Sequence, residues 1–181
     1  MTICLVGSEM CIRDRRYLPR LKSLHEVYGN QGVQFVAVNV GAADSIQDMA
    51  AHALEHDALF PFVKDVSGQC VKALGVQRTP EVAVLDAKQR LVYRGRIDDQ
   101  YRFGGALPKA RRHDLEEALK EIVVGKKVSR AETPVDGCLI TIEKSGQPKS
   151  GEELTFAEHI APLMKKPVSY THLRAHETDR H

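Results

Sequence analysis

The sequence is short of most features that would announce a chemistry. It holds four cysteines, Cys4, Cys11, Cys70 and Cys138, and no two of them form a C-x-x-C. Their spacings fit neither a zinc site nor a disulfide-dense scaffold. No apolar run approaches the roughly 20 residues of a membrane-spanning helix. Neither sign of charge is in excess: 26 Lys and Arg stand against 24 Asp and Glu, for a net charge of +2. Interspersed charge of that size implies no nucleic-acid partner and no membrane partner. No internal repeat occurs. What is there, 181 residues with 43% apolar content, suffices for one ordinary globular domain with tails.

Both ends differ from the middle. MTICLVGSEMCIRDR opens the chain and PVSYTHLRAHETDRH closes it, the latter with three histidines from Thr171 onward in no regular period. Both strings resemble translated sequencing-adapter read-through, which recurs at the ends of metagenomic open reading frames. The expectation is that 1–15 and 168–181 are non-native segments, in preference to a true N-terminal strand and a histidine-rich metal tail.

Between them the pattern is regular. Tyr17, Leu18, Leu21, Leu24, Val27 and Tyr28 recur at helical spacing, one face buried, with Gly29-Asn30 as the stop. Pro19 inside that pattern either lies in the first turn or kinks the helix. VQFVAVNV (33–40), apolar on both faces, reads as a central strand. Asp44-Ser45 caps a helix through Met49, Ala50, Ala53 and Leu54. Phe60 to Val63 is a short strand, Ser67 to Leu74 a short helix closed by Gly75. Glu81 to Leu85 and Arg90 to Arg96 form an antiparallel hairpin across the turn Asp86 to Gln89. Asp98 to Lys109 is a loop. Leu115, Ala118, Leu119 and Ile122 make the stripe of a last amphipathic helix, His113 to Val124. Strands alternating with helices predict an α/β domain, a largely parallel sheet covered on both faces with an antiparallel edge. From Val128 the composition turns to that of a linker.

GVQRTPEVAVLD (75–86) sharpens the reading. Proline gives no N–H to a sheet, so Pro80 belongs at a strand's first residue or in a tight turn, where an X-Pro bond can be cis. Tyr-Leu-Pro-Arg-Leu, VQFVAVNV, FPFVKD, the Thr79-Pro80-Glu81-Val82 element and the hairpin RLVYRGRIDD together resemble a thioredoxin-fold redoxin, closest to the alkyl hydroperoxide reductase/thiol-specific antioxidant (peroxiredoxin-like) type. The resemblance covers about 16–125. It implies a thioredoxin-like fold, a central mixed sheet with helices on both faces and a C-terminal hairpin. It also implies a cis Pro80 packed against a redox cysteine, with Thr79 and Pro80 binding an extended substrate; a trans Pro80 starting an edge strand is the alternative. In such proteins the nucleophilic cysteine precedes the helix proline by eight residues and a second cysteine, where present, by five. Here those positions hold Cys11 and Asp14.

The implied activity is that of a thiol-dependent oxidoreductase, an antioxidant redoxin. A cysteine thiolate whose pKa is lowered at a helix N-terminus attacks a peroxide or a protein disulfide, and a thiol reductant resets it. Cys11 is the expected nucleophile, although it lies inside the adapter-like string. Asp14 would raise its pKa, whereas Arg13 and Arg15 would lower it. Cys70 reads as a small buried apolar residue in preference to a resolving thiol. Cys138 is either a resolving cysteine or a residue packing a short strand on the domain. The rival reading is a catalytically inactive thioredoxin-fold binding or assembly module that presents the Pro80 groove to an extended partner.

No metal or other cofactor is expected. His52 and His56 are spaced i, i+4 as metal ligands can be, but a solvated helix face is the favoured reading. Lys109, Arg111 and Arg112 read as a surface helix start, and Arg96 with Asp98 and Asp99 as the loop cluster to watch. LTFAEHIAPLMKK resembles the opening of a haem-binding segment that follows such domains in some bacterial proteins; no C-x-x-C-H follows, so no haem is expected. That likeness implies a periplasmic or exported parent, whose signal peptide this chain does not carry. The expected organisation is therefore a foreign segment at 1–15, a thioredoxin-like domain at 16–125, a linker or extension at 126–153, the start of a truncated second domain at 154–167, and a foreign tail at 168–181.

Overall fold

The computed structural model describes residues 1–8 and 12–141. In chain order the elements are β1 (Thr2–Gly7), α1 (Ile12–Gly29), β2 (Gln34–Asn39), α2 (Ile46–Glu55), β3 (Phe62–Lys64), α3 (Gln69–Leu74), β4 (Arg78–Thr79), β5 (Glu81–Leu85), β6 (Leu91–Gly95), β7 (Tyr101–Arg102), β8 (Gly105–Ala106), α4 (Asp114–Val123) and β9 (Cys138–Leu139). Five strands form one sheet in the order β3-β2-β1-β5-β6. β1–β2 and β2–β3 are parallel, whereas β1–β5 and β5–β6 are antiparallel.

The centre of this sheet is β1, drawn from the very string whose composition sets it apart. The domain therefore includes Thr2–Gly7, which the boundary expected at residue 16 left out. The physical reason is plain once the strand is placed. Thr-Ile-Cys-Leu-Val-Gly is paired along its whole length with β2 and along five residues with β5, so both of its edges are filled, and its alternating side chains enter a core on each face. Ile3 and Leu5 enter the core under α1 and α4; Cys4 and Val6 enter the one under α3. A fully buried Leu, Ile or Val contributes about 1.5–3 kcal/mol.

α1 begins at Ile12, five residues before the expected Tyr17, so Pro19 lies inside it rather than in its first turn. There it lacks the N–H that would bond the Arg15 carbonyl. Tyr17, Leu21, Leu24 and Tyr28 form its buried stripe. α4 lays Leu115, Ala118 and Leu119 on the same core. Ser45 alone is the N-cap of α2, with a capping box to Asp48. Its neighbour Asp44, expected to share that role, instead turns inward and accepts from Asn39 Nδ2 at 2.7 Å.

The segment after α4 stays on the domain. Val128 and Thr133 are buried. Arg94 N–H donates to the Ala131 carbonyl at 2.9 Å and Thr133 N–H to the Arg94 carbonyl at 3.1 Å. Thr133 Oγ1 lies 2.9 Å from Tyr93 Oη and accepts from Arg96 N–H at 3.1 Å. This closeness needs Gly95: a Cβ there would strike Thr133. The chain is thus guided along β6 toward β4, where residues 138–139 pair as β9. Residues 142–181, including the expected second-domain start and foreign tail, lie outside the described residues.

Candidate active site at the Thr79–Pro80 turn

The Thr79–Pro80 peptide is cis. Thr79 is buried, and the turn is held from within by the residue that follows it. Glu81, 6% exposed, accepts from the N–H groups of Gln77 and Arg78 at 2.8 and 3.0 Å, with Arg94 Nε 3.9 Å from its other oxygen. The carboxylate ties the strand after the turn to the strand before it. Sequence reading gave Glu81 no role, because one glutamate at a strand start carries no signal of an inward carboxylate.

In front of this turn opens a cavity of about 780 Å³, lined by Ser8, Arg16, Gly41, Thr79, Arg102 and Cys138 among others. Arg16 brings a guanidinium from the second turn of α1, stacked over Tyr101 at 5.7 Å. The wall at Gly41 is shaped by Lys64, whose ammonium donates to Asn39 Oδ1 and the Asp44 carbonyl at 2.8 Å each and to the Gly41 carbonyl. That knot fixes the loop between β2 and α2. On the far side the β7–β8 hairpin, inside the expected loop 98–109, supplies Tyr101 and Arg102.

The sequence-selected residues divide. Thr79 and Cys138 meet, directly opposite each other across the β4–β9 pair. Cys138 is an exposed free thiol. Cys11 lies outside the described residues; in sequence it immediately precedes α1. Cys4 and Cys70 are buried free thiols. Burial pushes Cys4 up to about 12. Cys70 is raised too, by burial first and then by Cys4 and Asp65. Burial thus disfavours the thiolate at both positions.

The Arg96, Asp98 and Asp99 cluster does not line the cavity. It splits into three anchors. Asp98, 1% exposed, accepts from Tyr17 Oη at 2.7 Å and Gln100 N–H at 2.8 Å and is paired with Arg20. Arg96 Nε bonds the buried Asp114 at 2.6 Å, which Arg112 Nε also reaches at 2.7 Å. Asp99 accepts from the Arg111 and Arg112 N–H groups at 2.8 and 3.0 Å and faces Arg102 at 3.3 Å.

His52 is not on a solvated face as expected. It is 7% exposed, with its ring 4.4 Å from that of His56 and near Phe62. Glu55 joins them, so that one ligand atom from each of the three residues lies within 4.8 Å of the others. The convergence of Glu55 and His56, adjacent in sequence, follows from His56 being the C-cap, where the chain leaves the helix. Among the described residues this is the group that could hold a metal ion. Burial, His56 and Arg15 lower the His52 pKa, against the pull of Glu55 and Asp44.

Strand order, helix placement and the proline turn define a thioredoxin-like fold. The chain belongs to the Redoxin family, whose model matches residues 7–111, more than half of the sequence. Among solved structures, it is similar to a hypothetical protein from Sinorhizobium meliloti 1021 at 29% identity and TM-score 0.69, over 77% of this chain and 78% of that one. A conserved protein from Geobacillus kaustophilus aligns at 28% identity and the same TM-score, 0.69, over 80% and 78% of the two chains. A proposed thiol:disulfide interchange protein, DsbE, from Chlorobium tepidum shares the fold at 20% identity and TM-score 0.54, over 68% and 79%. No curated protein matches in sequence.

The Asp99 anchor, outside the cavity, has its own acid response. Burial works against ionising Asp99, but the Arg112 and Arg111 N–H groups and the nearby Arg96 and Arg102 charges outweigh it and hold the carboxyl below its ordinary value. A depressed folded-state pKa means that this carboxylate stabilises the fold fully above about pH 4, the unfolded value, and loses that contribution as pH falls through the lower folded value. Asp99→Asn is expected to flatten the fall of unfolding free energy below pH 4. Denaturant titrations of both proteins from pH 6 to pH 2 check this; parallel curves would refute it.

Proposed function

We propose that the parent activity is thiol–disulfide exchange at the cavity in front of Thr79, with Cys11 as nucleophile, Thr79 and Pro80 as the substrate edge and Cys138 as resolving thiol. The observation carrying this reading is the alignment of Cys138 with Thr79 across a strand pair in a Redoxin-family chain. It supports a protein disulfide as substrate over a small peroxide, since backbone pairing at that edge suits an extended polypeptide.

The Cys11 thiolate attacks one sulfur of the substrate disulfide. The S–S bond breaks, one substrate thiolate leaves, and a mixed disulfide forms. The Cys138 thiolate then attacks Cys11 Sγ, releasing the second substrate thiol and leaving a Cys11–Cys138 disulfide. The substrate gains two electrons, and an external dithiol returns them to the protein. Arg16 and Arg102, cations lining the cavity, favour a thiolate there.

Alkylation by a slow reagent across pH tests the reading. Cys11 is expected to react with an apparent pKa below about 8.5, the free-cysteine value, and Cys11→Ser to remove that phase. An ordinary thiol value at Cys11 sinks the enzymatic reading and leaves the binding module, which needs the edge but no activated sulfur. The expected organisation into a domain, an extension and a second-domain start remains part of this proposal.

A further inference from the structure

A bare strand edge offers unpaired N–H and C=O groups to any extended chain. In this protein the edge of β4 is already taken by its own C-terminal extension. Arg78 faces Leu139 and Thr79 faces Cys138 in antiparallel register, and Ile140 N–H donates to the Gln77 carbonyl at 2.9 Å. The contact is fitted. A Cβ on Gly137 would strike the Thr79 carbonyl, and Arg78 Nη1 reaches the Gly137 carbonyl at 2.7 Å.

Yet little apolar surface holds it down. Cys138 and Leu139 are exposed, Leu139 by 66%, and of the pairing residues Ile140 alone leans on the core. Strands with few buried contacts open locally at low free energy. The hold lies upstream instead, in Thr133 and the Arg94–Ala131 bond, so the segment is tethered where it can return. A tethered competitor acts at an effective concentration of order millimolar.

We infer that residues 137–140 are a built-in, displaceable occupant of the Thr79 edge, and that the external partner fitting this surface is an extended protein segment running antiparallel to β4 with glycine immediately before the residue opposite Thr79. This rests on the proposed function only in taking that partner to be a substrate. The glycine requirement follows from the closeness at Gly137: any side chain there meets backbone that cannot retreat without opening the turn held by Glu81.

The test uses the full chain and a fluorescent peptide of residues 134–141 with serine in place of cysteine, so that no thiol chemistry enters. Two variants loosen β9 while leaving the residues of β4 unchanged: Gly137→Ala, whose Cβ meets the Thr79 carbonyl, and Ile140→Pro, which removes the N–H donated to Gln77. Hydrogen exchange is expected to rise at residues 138–140 in Gly137→Ala and at 138–139 in Ile140→Pro, whose proline carries no amide hydrogen. Fluorescence anisotropy is expected to show the peptide binding both variants at least tenfold more tightly than the unaltered chain, and a peptide with alanine for its glycine binding none of them. Unchanged exchange in both variants, or release of β9 with no gain in peptide affinity, overturns the inference. Failure of Cys11 activation leaves this readout untouched, and failure here leaves the alkylation profile of Cys11 untouched.

Discussion

Replacing Asp98 by alanine is expected to lower the unfolding free energy by about 3–5 kcal/mol, the range for removing one partner of a buried ion pair. The size follows from what the carboxylate serves. It is 1% exposed and gathers the Tyr17 hydroxyl, the Gln100 N–H and the Arg20 guanidinium. All but Gln100 come from the first turns of α1, so Asp98 pins the start of that helix to the chain leaving β6. Alanine strands a buried hydroxyl and a half-buried cation together. Asp98→Asn keeps an acceptor for Tyr17 and Gln100 but loses the charge and turns an amide donor toward Arg20, so a smaller loss than for alanine, about 1–2 kcal/mol, is expected. Tyr17→Phe removes one hydrogen bond, about 1 kcal/mol. Urea unfolding of the three variants and of the Tyr17→Phe/Asp98→Asn double variant measures the coupling. A loss under 1 kcal/mol for Asp98→Ala would mean that the pair is solvated and does not anchor the helix.

The parts legible in the sequence are those whose side chains repeat with a period. The hairpin of β5 and β6, the stripe of α4 and the apolar run that follows Pro80 each write themselves into four or more positions. The composition of the string around β1 sets it apart, yet its apolar run Ile3–Val6 has the form a strand buried on both faces requires. Cys138 stands out in the sequence with packing and resolving roles both open, but nothing there aligns it with Thr79. Pairing at β4–β9 uses backbone groups of residues nearly sixty positions apart, and leaves only Gly137 as a trace in the side chains. The RGRIDD stretch shows the converse. It read as one polar cluster near a site, whereas Asp98 and Asp99 each answer to separate partners brought in by α1 and by the approach to α4. Adjacent carboxylates on an irregular segment point apart, and no periodicity says where.

Glu81 carries the second large effect, and it links fold to site. Its carboxylate accepts from two backbone N–H groups on the far side of the Thr79–Pro80 turn, while the residue itself is the first of β5 and pairs with Val6 of the central strand. The turn is therefore clamped to the middle of the sheet. Glu81→Ala orphans both donors and is expected to cost about 2–4 kcal/mol, one to two buried unsatisfied groups. Glu81→Gln retains one oxygen acceptor but brings an amide donor toward Arg94, so an intermediate loss of about 1–2 kcal/mol is expected. Stability alone would not distinguish a clamp from an ordinary buried glutamate. The distinguishing readout is local: in Glu81→Gln, still folded, hydrogen exchange at Gln77 and Arg78 is expected to accelerate well beyond exchange in α4, and protection at Ile140, whose N–H donates to the Gln77 carbonyl, is expected to fall with it. Uniform acceleration across the domain would assign Glu81 a purely global role. A selective loss at 77–78 and 140 means that the edge presented to β9, and to any strand that replaces it, exists because one carboxylate holds the turn open.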